Sequence, residues 1–180
     1  MTAVAHAPVV KTPGRSRPLL QPLFAGTALA MLVPIGVALA VTLARGRPLP
    51  WQFHMPWVSP HIGVVVLALG LGSAQMALPK GDRRHKMLGY GWLGVMALLS
   101  VTGLLIQLEP GHVTLVHRIS SGFAVANLLL TPVVIWSART GRRRLHRGLA
   151  MGLFGNMLFS GLMAFIPFRA IGLLVFGLFH

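Results

Sequence analysis

The chain has 180 residues, of which 54% are hydrophobic and 10% charged, with 16 Lys and Arg against 2 Asp and Glu and no Cys. An average soluble chain is about 25% charged, so this composition excludes an ordinary soluble domain, and its apolar content excludes disorder. The lack of Cys removes disulfides, Cys-ligated zinc and iron–sulfur clusters. With Asp82 and Glu109 as the only acids, paired-carboxylate catalysis and carboxylate-bridged metals are disfavoured. What remains is a membrane protein whose polar chemistry comes from His, Arg, Lys and a few amides. The net charge of +14 does not point to nucleic acid. Its cations cluster between long apolar runs, which is the pattern of cytoplasmic membrane loops.

Residues 1–18 are rich in Pro and Ala and carry Lys11, Arg15 and Arg17, which predicts a disordered basic tail. Residues 19–44 form the first apolar run, too long for a signal-peptide core, and predict a transmembrane helix kinked at Pro34. Residues 45–60, with several prolines and Trp51 and Trp57, predict an outer interfacial loop. Four further spans follow at His61–Leu78, Met87–Leu108, Val113–Ser137 and Gly148–Ile166, each long enough to cross about 30 Å of hydrocarbon. Their connections are short, so residues 61–166 are expected to form an up-down four-helix bundle. Residues 167–180 contain a break at Pro167 and a run too short to cross again, which predicts a short C-terminal interfacial helix.

The fold class is therefore an all-α membrane protein with five transmembrane helices. Orientation follows from Lys and Arg. The tail, the loop before the third span and the loop before the fifth hold twelve of them, and Arg45, Arg47, Arg118 and Arg169 lie on the other side. That bias places the N-terminus in the cytoplasm and the protein in a cell membrane of the bacterial inner type. Gly89, Gly91 and Gly94 in the third span, and Gly148, Gly152 and Gly155 in the fifth, stand at spacings that let helices approach closely.

The histidines are patterned. His61, His85, His117 and His146 each stand at or just before the N-terminal end of one bundle span. Because the spans alternate in direction, His61 and His117 fall at the outer face, and His85 and His146 at the inner face. Two imidazoles from non-consecutive helices are the ligand set of a b-type haem, and a helix N-terminus disfavours imidazolium. Arg118 beside His117, and Arg83 and Arg84 beside His85, are the cations expected at the haem propionates. Gly89, Gly122 and Gly152 are candidates to make room for a macrocycle. The spacing alone leaves two haems, one haem or another cofactor, and plain boundary histidines all open. Gln75, Asn127 and Asn156 are the notable polar groups inside spans, read as interhelical glue or as contacts to a quinone, haem edge or pigment.

The segment LPKGDRRHKMLGYGWLGVMALLSVTGLLIQ resembles a family of predicted bacterial multi-pass membrane proteins of uncharacterised function, through its PKGxRRHxxLG element. HRISSG, ARTGRRRLHRGLAMGLFGNMLFSGLMAF and FIPFRAIGLLVFG are similar to later elements of that family, and the likeness covers about residues 60–178. The family often ends in Pro-Gly-Arg where this chain has Pro167-Phe168-Arg169. More distantly, the four-His pattern is similar to two-haem transmembrane b-type cytochromes, in which the first and third bundle helices hold one haem and the second and fourth the other. That resemblance implies His61 with His117, and His85 with His146, as axial ligands. The chain departs from it in depth, since its His stand at the ends of the spans, about 27 Å apart along the second.

The expected function is thus membrane electron transfer with haem b, one or two per chain, serving a quinone or a redox partner. The competing class is a non-catalytic accessory or scaffold subunit of a larger respiratory or photosynthetic membrane complex, binding lipid or pigment. A small-solute or proton carrier is a third class, disfavoured by the lack of an intramembrane carboxylate.

Overall fold

A computed structural model describes residues 20–108, 115–166 and 169–177. Among these residues every regular element is helical: α1 (Leu20–Ala44), a 3-10 turn (Trp51–His54), α2 (Val58–Ala77), α3 (Arg83–Gln107), α4 (Leu115–Arg139), α5 (Arg143–Met163) and α6 (Ala170–Phe176). Helices are what such apolar runs must form in lipid, because each then satisfies its own backbone hydrogen bonds. Four of them, α1 to α4, are long and apolar enough to cross a membrane. The tail at 1–18 lies outside the described residues.

Three helices start earlier than their apolar runs. α2 begins at Val58 rather than His61, α3 at Arg83 rather than Met87, and α5 at Arg143 rather than Gly148. The reason is local. Pro60 sits in the first turn of α2, where its missing N–H costs nothing. Asp82 caps α3, its Oδ1 accepting from the His85 backbone N–H at 2.7 Å. His85 and His146 are therefore inside first turns, not in loops ahead of them. At the other end of α2, Lys80 Nζ donates to the Gln75 and Met76 carbonyls and closes the helix C-terminus. α1 runs on through Pro34 as one helix. The predicted loop at 45–60 contains the 3-10 turn and the first residues of α2.

Helices neighbouring in sequence pack on one another from α1 to α5, and α1 also packs on α5 and α6. The first helix thus joins the bundle of the next four, bridging α2 to α5. α6 lies against α1 and the 3-10 turn, with Arg47 Nη1 donating to the Gly177 carbonyl at 3.2 Å.

The core is centred on an aromatic knot. Phe154 of α5 and Trp92 of α3 are buried, with ring centroids 6.0 Å apart, and Phe24 of α1 stacks on Phe154 at 6.1 Å. Gly72 of α2 admits the knot: a Cβ there would run into the Phe154 ring and stand 2.8 Å from Trp92 Nε1. Gly72→Ala is therefore an overpacking substitution, expected to cost about 1–3 kcal/mol. A lowered unfolding midpoint in detergent checks it, and an unchanged midpoint contradicts the contact. The glycines singled out by spacing do less. Gly89 meets the Gln75 side chain and Gly155 touches Phe24, but Gly91, Gly94, Gly148 and Gly152 face open space. Spacing finds small residues; it does not say which way a helix is turned.

Candidate functional site

A cavity of about 350 Å³ lies among the first turns of α2 and α4, the last turns of α3 and α5, and the start of α6. Its walls are mostly apolar, from Met31 and Ile35 of α1 to Leu69, Leu99 and Met157. Its polar lining includes His61, His117, Ser120, Asn127 and Arg169.

His61 is the fourth residue of α2 and His117 the third of α4, and both line this one cavity. His61 is held by Thr102 of α3, whose Oγ1 lies 2.9 Å from His61 Nδ1. Thr102 donates its own proton to the Leu98 carbonyl at 2.9 Å, as a helical Thr readily does. With that proton on a backbone carbonyl, Thr102 Oγ1 is an acceptor for an Nδ1–H of His61, the tautomer that keeps the lone pair on Nε2. Gly103, one residue on, gives the ring its place: a Cβ there would stand 3.3 Å from His61 Cε1.

Arg169 lines this cavity, and Arg118 is not among its lining residues. Arg118 is exposed on α4. One residue along a helix is a rotation of about 100°, so a neighbour of the cavity-lining His117 turns away from the cavity. Arg169 arrives from the link between α5 and α6 and donates through Nη1 to Ser120 Oγ at 3.3 Å. It is close enough to His61 for their charges to interact. Burial pushes its guanidinium below its ordinary pKa, although a guanidinium remains a cation in a protein. Deeper in, Asn156 Nδ2 donates to Asn127 Oδ1 at 2.7 Å and to the Phe123 carbonyl at 3.3 Å, so these two amides tie α5 to α4.

At the opposite end, His85 and His146 are also brought within electrostatic reach of each other. His146 Nδ1 donates to the Val134 carbonyl at 3.1 Å, which leaves its Nε2 as the basic nitrogen. His85 is engaged differently. Gln75 Nε2 donates to His85 Nδ1 at 2.9 Å and to the His85 carbonyl at 3.1 Å, so the amide occupies a ring nitrogen. Arg83 and Arg84, expected beside this pair, are exposed in the first turn of α3. Arg139 and Arg142 at this end lie on the rings of Tyr90 and Trp136.

No protein-family model, curated protein or solved structure matches the chain.

Proposed function

We propose that the protein is a b-type cytochrome of a bacterial cytoplasmic membrane, holding one haem in the cavity between His61 and His117. The observation that carries this reading is that two histidines, from helices not adjacent in sequence, line one largely apolar cavity. The residues fit the group. Two imidazoles are the ligand set, Thr102 engages His61 through Nδ1, and the walls are largely apolar. The volume lies within the roughly 300–1,000 Å³ of ligand pockets. When bound, such a group supplies one-electron transfer to a quinone or a protein partner. The chain's own part is to hold and orient: Thr102 fixes the tautomer and angle of His61, and Gly103 clears space for the ring.

The inner pair receives no haem in this reading, because Gln75 engages His85 and the pair forms a polar layer between helices. The reading takes α5 as a fifth span whose first turn, with Arg143, Arg144 and Arg147, lies at the cytoplasmic face. α6 then rests at the outer interface.

Protein purified from haem-replete cells is expected to yield about one b-type haem per chain by reduced-minus-oxidised spectroscopy and haem extraction. Folded protein without a chromophore would return the chain to the accessory-subunit class. Thr102→Val keeps the side-chain shape but removes the acceptor for His61. It is expected to weaken haem retention about 10–100-fold, the usual effect of losing a ligand's orienting partner. Haem competition with an apo-haem protein measures this, and equal retention contradicts the role given to Thr102.

A further inference from the structure

Arg169 is an unusual residue to find on an apolar cavity. Its guanidinium carries five N–H donors, and Ser120 Oγ is its one hydrogen-bond partner among the described side chains. The only acid among the described residues, Asp82, caps the start of α3, whereas the cavity lies beside Leu99 to Gln107 of that helix. The two are separated by about 25 Å of helix. A partly buried cation facing apolar walls is costly unless an anion meets it.

We infer that the cavity ligand is an amphiphile with a carboxylate, and that Arg169 and Ser120 form the seat for that carboxylate while the apolar walls take the body. This deepens the haem reading, since a haem propionate has this chemistry, and a long-chain fatty acid shares it. The guanidinium presents a planar fork of donors to a carboxylate, which a lysine ammonium does not. Ser120, one helical turn from His117, faces the same cavity, so the seat and the His pair lie on one ligand. The position is legible as a pair of roles: α4 contributes His117 and Ser120 from one face, and the α5–α6 link contributes the counter-charge.

The test uses the full-length apoprotein in detergent, titrated with haem b, with haem dimethyl ester and with oleate. Wild type is expected to bind haem b about 10- to 100-fold more tightly than the ester, the worth of a charge-assisted hydrogen bond. Arg169→Gln is expected to close that gap by weakening haem b alone, and Arg169→Lys to leave a smaller gap. If haem b and the ester bind wild type equally, the carboxylate seat is wrong while the haem reading survives. If haem b and the ester both fail to bind but oleate is held by wild type and released by Arg169→Gln, the haem reading fails and the seat stands. If none of the three binds, the inference is overturned. Glu109→Gln is the control for the chain's other acid, which lies outside the described residues. It is expected to leave the gap intact, and a gap closed by that change would overturn the proposal. The comparison of acid with ester in wild type needs no variant to fold.

Discussion

Phe154→Ala is expected to cost about 3 kcal/mol, the low end for truncating a fully buried Phe. The ring touches three helices besides its own: Phe24 of α1 stacks on it, Trp92 of α3 tilts against it, and Gly72 of α2 leaves room for it. The loss is one of contact rather than of transfer from water, because lipid is as apolar as the core. Truncation therefore leaves a cavity where four helices meet. Helices α1 and α5 are expected to loosen first, since Phe24 and Phe154 bring them together. Unfolding in mixed micelles, followed by helical circular dichroism, checks the magnitude. A shift no larger than that of a lipid-facing control such as Leu129→Ala, which is 67% exposed, would contradict the knot.

His61→Ala and His117→Ala are each expected to reduce haem per chain to the background of a haem-free membrane protein. His85→Ala and His146→Ala are expected to leave it unchanged. The contrast follows from how the two pairs are held. His61 is bonded through Nδ1 to Thr102 and lines one cavity with His117. His85 is already taken by Gln75. Removing either inner histidine instead removes one side-chain contact between helices, while Gln75 keeps the residue-85 carbonyl and the Val134 carbonyl keeps Ser137 Oγ. The inner variants are expected to lose about 0.5–1.5 kcal/mol of stability, the net worth of one hydrogen bond, while keeping their spectrum. Equal haem loss at all four positions would overturn the assignment of the site to one end of the bundle.

Much of the helical order is legible in the sequence, because a run of some twenty apolar residues has few alternatives in lipid. The pairing of histidines by end of the bundle is legible too, since short connections force alternation. Helix starts are not. The apolar runs mark the bodies of α2, α3 and α5, yet a helix continues into water when a cap or a polar first turn supports it. Asp82 before Arg83 was such a cap signal, three residues ahead of His85. The place of α1 as the bridge between α2 and α5 was hidden, because a helix that is apolar all round carries no stripe to show which side packs. Arg118 adjoins His117 in sequence, but one residue of helical rotation leaves it exposed and off the cavity lining. Arg169 lies beyond α5, and the fold brings it to Ser120.

The central claim is that His61 and His117 bind one iron between them. The most direct measurement is the electron paramagnetic resonance spectrum of the oxidised purified protein, compared with His117→Ala. A low-spin ferric signal of the bis-imidazole kind is expected in wild type, lost or converted to high spin in the variant. A low-spin signal that persists unchanged in His117→Ala, or folded wild type with no haem signal at all, would contradict it.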